Sequence, residues 1–341
     1  MRRMLVVVAW VMLSVSAMSV WAQEAASAPA VDDWGKLVAA NNLDVKGNTP
    51  FHLAMTFQLY DMDGKATKTG TFEEWWAAPA SEKIVVHLPG LNEDGSASEG
   101  ADTTVARDAY LIGRLMNAAV RPVPPELRAG GATTTRAVNF GKIRLDCTAQ
   151  KVSILGGTAA QPTTACVKPQ TTDVQIMQEF GGQGMLVRPS TGKFHDTYVA
   201  LEVQIGFLGR SAITGKVTTM QSFDPAKSEV KLSPAGSPVA SQPNLVRLSG
   251  GVIAGHRIKF TEPEYPMVAK MGHLSGSVLL HAVIGKDGSV ERLVPIASTA
   301  PMFTDAAIQA VKKWIYRPYL LNGEPTEVDT TITVNFALSG G

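Results

Sequence analysis

The stretch that decides the fold of the C-terminal region reads GSVLLHAVIGKDGSVERLVPIA over residues 276–297. Apolar residues alternate over Gly276–Ile284, which predicts a β-strand. Asp287 and Gly288 predict a hairpin turn, because an Asp-Gly pair accepts the positive φ angles of that turn. Residues 289–297 are therefore expected to return as an antiparallel strand.

Further elements are predicted on both sides of this hairpin. Pro266 suits the first turn of a short helix over Met267–Met271. Residues 301–315 carry apolar side chains at helical spacing and predict an amphipathic helix. Residues 328–338 alternate again and predict a closing strand. The order helix, hairpin, helix and strand predicts a small α+β domain over residues 252–341.

The preceding region, residues 43–223, contains β-prone runs separated by turn signals, of which Phe51–Tyr60 is the clearest. A helical pattern lies over residues 102–120 and ends before a group of prolines. We expect a curved, half-barrel-like antiparallel sheet with this helix against one face. The fold class of the whole chain is therefore predicted to be α+β.

A linker is predicted between the two domains, over residues 224–251. Its centre, residues 233–244, reads SPAGSPVASQPN. A segment so rich in proline and serine is expected to form neither strand nor helix. The domain boundary is placed near residue 245.

The N-terminal segment has the features of an export signal. Arg2 and Arg3 precede an apolar stretch over residues 4–15, and Val20-Trp21-Ala22 offers a small-x-small cleavage site. Residues 1–22 are therefore predicted to be a signal peptide, with an uncleaved membrane anchor as the alternative. Residues 23–42 are expected to form a tether.

Two cysteines, Cys147 and Cys166, flank a polar segment. In an oxidising compartment such a pair most often forms a structural disulfide. A zinc site would need a second pair of ligands at close spacing, and a redox site would normally show Cys-x-x-Cys. A disulfide is therefore expected.

Composition and motifs narrow the range of functions. Hydrophobic residues make up 45% and charged residues 18% of the 341 residues, with a formal net charge of +1. This balance excludes a disordered chain or a bundle of membrane helices, and it gives no reason to expect a nucleic-acid partner. The chain lacks the Gly-x-Ser-x-Gly motif and histidines at metal-ligand spacing. No catalytic residue, metal site or cofactor is predicted.

The C-terminal elements occur as an ordered set that covers residues 252–339. In its order and spacing this set resembles the TonB C-terminal domain. The residues that carry the resemblance are Tyr265-Pro266, Ala269, Gly276, Val278, Asp287-Gly288, Val290, Ala306-Ala307, Trp314, Pro318, Asn322-Gly323 and Phe336.

The resemblance implies a non-enzymatic periplasmic domain. Such a domain binds a segment of an outer-membrane TonB-dependent transporter, or another envelope partner, by adding that segment to a terminal strand whose backbone groups are unpaired. It implies contacts at Lys270 after the Tyr-Pro turn and along the closing strand, although both could serve only the fold. The expected strand residues are Val328, Thr330, Thr331, Ile332, Thr333, Val334 and Phe336.

The chain departs from full energy transducers of that family. Its N-terminal apolar segment has no histidine, and a folded domain stands where those proteins have a long Pro-rich spacer. Coupling to the proton gradient is therefore not predicted.

Residues 43–223 more weakly resemble the half-barrel of LolA-like lipoprotein carriers. The resemblance lies in Phe51–Tyr60, the turn at Asp63-Gly64-Lys65 and the run over residues 70–76. It implies an alternative function, a periplasmic carrier of lipid or another hydrophobic ligand with the TonB-like domain as a docking module. Trp75 and Trp76 in this run are interpreted as ordinary core and edge aromatics.

Overall fold

The computed structural model describes residues 34–44, 49–77, 81–98, 100–124, 133–150, 163–234, 246–248, 257–321 and 323–338. The predicted signal peptide over residues 1–22 lies outside the described residues, as do most of the predicted tether and most of the Pro/Ser segment. Within the described part of the chain, no helix is both long enough and apolar enough to cross a bilayer.

The first domain contains two α-helices, one 3₁₀ helix (Phe180–Gly182) and eleven strands among the described residues. The α-helices are α1 (Trp34–Asn41) and α2 (Thr103–Val120). The strands are β1 (Phe51–Tyr60), β2 (Ala66–Trp76), β3 (Ser81–His87), β4 (Thr133–Phe140), β5 (Ile143–Gln150), β6 (Thr163–Val167), β7 (Val174–Glu179), β8 (Gly184–Phe194), β9 (Thr197–Phe207), β10 (Arg210–Ser222) and β11 (Ser233–Pro234).

These strands form one curved, open antiparallel sheet in the order β11-β3-β2-β1-β10-β9-β8-β7-β6-β5-β4. The predicted antiparallel sheet with a helix against one face is therefore confirmed. Cys147 and Cys166 face each other across β5 and β6 and form the expected disulfide.

The second helix fills the apolar face of the sheet. Asp102 caps α2, because its carboxylate accepts hydrogen bonds from the backbone N–H groups of Thr104 and Val105. Leu115 approaches β10 so closely that a Cβ at Gly215 would lie 2.8 Å from its side chain. The small residue in β10 thus allows α2 to pack tightly on the sheet.

The first helix corrects the prediction of a tether over residues 23–42. Trp34, Leu37 and Val38 are buried in the core of the first domain. The amide of Asn41 bonds to the carbonyl oxygens of Leu37 and Thr172, at 2.9 and 2.7 Å. The tether is therefore wrong over Trp34–Asn41, because tertiary contacts hold a helix too short to be stable alone.

The C-terminal part adds eight strands and two helices among the described residues. The strands are β12 (Val246–Leu248), β13 (Arg257–Lys259), β14 (Gly276–Ile284), β15 (Val290–Ser298), β16 (Ile315–Tyr316), β17 (Tyr319–Leu321), β18 (Glu324–Thr326) and β19 (Val328–Phe336); the helices are α3 (Met267–Met271) and α4 (Pro301–Val311).

Four of these strands form the C-terminal sheet, in the order β12-β19-β14-β15. The predicted hairpin is present as β14 and β15, with Gly288 at a φ of 86°. The helix predicted over residues 301–315 ends earlier, at Val311, because Ile315 pairs with β13.

The predicted linker contains two short strands. Ser233 and Pro234, at the start of the Pro/Ser segment, pair with β3, which corrects the expectation that this segment forms no strand. Val246–Leu248 joins the C-terminal sheet. Long-range pairing thus anchors both ends of the Pro/Ser segment.

The C-terminal sheet packs on both faces. One face carries the core of its own domain, in which Phe303 of α4 stacks on Phe336 of β19 with ring centroids 4.6 Å apart. The other face contributes Leu279, Ile296 and Ala297 to the core of the first domain. Helix α2 therefore lies between the two sheets and contacts both.

Candidate partner-binding edge

The strand predicted to bind a partner, β19, is paired on both sides over part of its length. On one side it pairs antiparallel with β14 from end to end. On the other side β12 runs parallel to it, with Val246 opposite Val328 and Leu248 opposite Thr330. The expectation of an unpaired outer edge is therefore wrong for residues 328–330, because the protein's own linker occupies them.

Beyond Thr330 the outer side of β19 is open with respect to the described residues. No described strand pairs there with residues 331–336. A strand with one unpaired side can accept an extended chain as its next neighbour.

The side chains of β19 hold the strand in place on both faces. Val328, Ile332, Val334 and Phe336 point into the core of the C-terminal domain and are buried. Thr330 and Thr331 are buried too, so six of the predicted site residues can offer a partner only backbone groups. Their burial keeps the edge rigid, which lowers the entropy cost of adding a strand.

The opposite face of β19 lies against the first domain. The hydroxyl of Thr333 donates a hydrogen bond to Oε1 of Gln183, at 3.1 Å. His281 on β14 lies 3.0 Å from the carboxylate of Asp329, and its ring contacts the Tyr110 ring of α2 with centroids 4.5 Å apart. This face is covered, so a partner strand can reach β19 only along its edge.

Lys270, the other predicted contact, is exposed on α3. This helix is fixed by Ala269, which is fully buried, and by Tyr265, whose ring lies 5.8 Å from that of Phe336 and whose hydroxyl donates to the carbonyl oxygen of Leu274. The structure thus anchors α3 at the Phe336 end of β19, the end that β12 leaves open.

Exposed apolar side chains that were not predicted from the sequence accompany Lys270. Met267, Val268 and Met271 on α3 are 69%, 62% and 69% exposed, and Leu274 just after the helix is 46% exposed. Exposed apolar groups close together mark interaction surfaces, and methionine adapts readily to different partners. The run MVAKM, with a single small buried residue, is the signal that could have identified them.

Two arginines join the domains at the far edge of the C-terminal sheet. Arg107 of α2 donates hydrogen bonds to the carbonyl oxygens of Ile296 and Tyr60, both at 2.8 Å. Arg210 donates to the carbonyl oxygens of Ser298 and Met62, both at 3.0 Å. These contacts occupy backbone acceptors of β15, so this edge is less suited to strand addition than β19.

Burial lowers the pKa of the Arg107 guanidinium, and the neighbouring Asp108 opposes this shift. Hydrogen bonds to two carbonyl oxygens compensate the buried charge in part.

The predicted hydrophobic-ligand site of the first domain would lie on the face of the sheet that α2 covers. Leu111, Leu115 and Met116 are buried against that face. Trp76 is part of the same core, and Trp75 stacks on His52 with ring centroids 4.5 Å apart. An acyl chain could reach this face only if α2 moved.

Comparison with known families supports the C-terminal assignment. Residues 261–338 match the family model described as Gram-negative bacterial TonB protein C-terminal. Protein TonB of Vibrio cholerae serotype O1 is 26% identical over 107 residues, which cover 31% of this chain and 42% of that protein. The chain thus spans about two fifths of the curated relative it matches. The resemblance of this region to the TonB C-terminal domain is confirmed.

The solved structures found to be similar to this chain share little sequence with it and superpose only loosely. A DUF1329 family protein from Desulfovibrio piger has a TM-score of 0.38 at 8% identity, and the match covers 60% of this chain and 96% of that one. A LolA superfamily protein from Nitrosomonas europaea has a TM-score of 0.33 at 7% identity, covering 58% and 98%. Likenesses this weak carry no argument about function, and the carrier function stays a prediction.

Proposed function

We propose that this chain is an envelope adaptor that captures an extended segment of another protein by strand addition to the outer edge of β19. The observation that carries the proposal is the geometry of this edge. It already accepts one strand at residues 328–330, and it is open with respect to the described residues over 331–336. The partner expected first is an outer-membrane TonB-dependent transporter, with another envelope protein as the alternative.

The residues of the site have separate roles in this proposal. The backbone of residues 331–336 provides the hydrogen-bonding groups, and the buried side chains of β19 keep it straight and rigid. Lys270 provides a charge beside the edge, and Met267 and Met271 provide apolar contact. Binding by these groups requires no catalytic residue and no cofactor.

The periplasm is the compartment in which this function would operate. The predicted signal peptide and the disulfide between Cys147 and Cys166 support export, since disulfides persist in oxidising compartments. Anchoring in the inner membrane by an uncleaved N-terminal segment would place the same edge in the periplasm.

A proline scan of the bound peptide tests strand addition without altering the protein. Labelled peptides from the periplasm-facing segments of outer-membrane transporters are titrated against the full chain, with proline at each position in turn. In an added strand, alternate N–H groups point to the edge, so proline should abolish binding at every second position and be tolerated between. A loss that does not alternate would contradict the proposal, as would saturable binding of none of the peptides.

The charge of Lys270 is expected to contribute to capture and not to folding. Lys270→Ala should weaken binding of the same peptides by up to about fivefold, the equivalent of about 1 kcal/mol for an exposed charge pair. The midpoint of thermal unfolding should not change, because the side chain is exposed. Lys313→Ala, at an exposed site after α4, is the control and should bind normally. If both variants bind the peptides with equal affinity, Lys270 is not part of the binding site.

A further inference from the structure

We propose that β12 is an intramolecular occupant of the partner-binding edge, which an incoming strand must displace to use the whole of β19. This inference rests on the proposed function and concerns how partner binding is regulated. Its basis is the register of β12, in which Val246, Arg247 and Leu248 lie opposite Val328, Asp329 and Thr330. Two of these three positions, Val328 and Thr330, are among the residues predicted from the sequence to bind a partner.

The sequence of β12 suits this role. Val246 and Leu248 alternate with Arg247, directly after a Pro/Ser segment that lacks such a pattern. Alternating apolar residues favour an extended chain that can pair with an edge. The run therefore has the pattern of a segment that can pair with a strand edge, and it lies within the predicted linker.

The anchoring of the linker keeps β12 close to the edge. Before it, Ser233 and Pro234 pair with β3 of the first domain. After it, Arg257–Lys259 pairs with β16 of the C-terminal domain. A tethered strand binds at an effective concentration that reaches the millimolar range for short flexible links. Even a weak pairing can then occupy the edge most of the time.

An incoming strand can displace β12 because β12 is short. Only three residues pair, whereas β14 pairs with all nine residues of β19. An external strand can begin at residues 331–336, which β12 leaves open, and then replace β12 residue by residue. If β12 occupies the edge in nine molecules out of ten, the apparent affinity for an external strand falls about tenfold.

A release variant tests the occupancy. Val246→Pro combined with Arg247→Pro removes at least one N–H donor toward β19, because adjacent residues of a strand point their N–H groups to opposite sides. Lys231→Pro combined with Leu232→Pro, at unpaired positions earlier in the linker, is the matched control. The probe is a labelled synthetic peptide with the sequence NLVRLS of residues 244–249.

The release variant should bind this peptide about tenfold more tightly than the wild type or the control variant. Equal binding by all three proteins, or no binding by the release variant, would overturn the proposal.

A reversible lock gives a second test on the complete chain. Arg247→Cys with Asp329→Cys places two thiols opposite each other in the β12–β19 pair. Oxidation should make residues 328–330 inaccessible, so the NLVRLS peptide should bind more weakly than to the reduced form, and mild reduction should restore binding. The reduced form is the control, since it carries the same substitutions. The native disulfide between Cys147 and Cys166 is buried and should persist. Binding that does not change on oxidation would overturn the proposal.

The two proposals can fail separately. If transporter peptides bind the wild type and the release variant equally, the capture function stands and the self-occupancy by β12 is wrong. If NLVRLS binds the release variant tightly while no transporter peptide binds it, β12 is an occupant but the proposed partner is wrong.

Discussion

Replacing Arg188 with methionine is expected to lower the free energy of unfolding by about 3–5 kcal/mol. Losses of this size are typical when one partner of a buried charged network is removed. Arg188 is 0% exposed at the centre of the first domain. Its guanidinium donates to the side-chain oxygen of Asn41 at 2.9 Å and to the carbonyl oxygens of Val174 and Tyr198 at 3.1 and 3.0 Å. Methionine would leave these three acceptors without this donor.

Burying the charge of Arg188 costs free energy, but the charged side chain is needed for the hydrogen bonds that it donates. Burial lowers the pKa of its guanidinium to about 10, an effect that the negative charge of Asp173 opposes. The side chain therefore remains charged at neutral pH, and its hydrogen bonds join α1, β7 and β9. Loss of these bonds should release α1 first, because Asn41 is its last residue.

Urea unfolding followed by circular dichroism measures this effect. Arg144→Met, at an exposed position on β5, is the control and should change the unfolding free energy by no more than about 0.5 kcal/mol. A loss below about 1 kcal/mol for Arg188→Met would show that neighbouring groups satisfy the three acceptors without the arginine.

Replacing Arg107 with methionine is expected to weaken the junction between the domains by about 2–4 kcal/mol, since two carbonyl acceptors lose a charged donor. Arg107 is only 4% exposed, and its hydrogen bonds join α2 to the end of β1 and to β15. Without these hydrogen bonds, the C-terminal sheet should separate from α2 before the first domain unfolds. One unfolding transition should then become two.

Hydrogen exchange along β15 is the direct measurement for Arg107. Amides of Val290–Ser298 should exchange faster in Arg107→Met, while those of β9 should not. Arg292→Met, at an exposed position on β15, is the control and should leave exchange unchanged. Unchanged protection of β15 in both variants would contradict the role of Arg107 as a junction between the domains.

The C-terminal elements were predictable because their signals are local. The hairpin of β14 and β15 depends on alternation and on an Asp-Gly turn, both of which act within a few residues. Helix α3 follows from the proline that precedes it. The order of these elements also carries the resemblance that the family match confirms for residues 261–338.

The candidate site was predictable only in part. The closing strand and Lys270 follow from the resemblance, whereas the exposed methionines of α3 were missed. The occupant of the edge was missed as well, because the pairing of Val246 with Val328 joins residues far apart in the chain. Alternation at either position favours a strand, but it does not identify the strand with which that position pairs.

By itself the sequence determined the α+β class, the disulfide and the order of the C-terminal elements. The tertiary structure alone decided that α1 is a helix, that α2 lies between two sheets and that β12 covers the start of β19. The physical reason is that turns and alternation are set by neighbouring residues, whereas burial and strand pairing depend on groups that meet only in the folded chain.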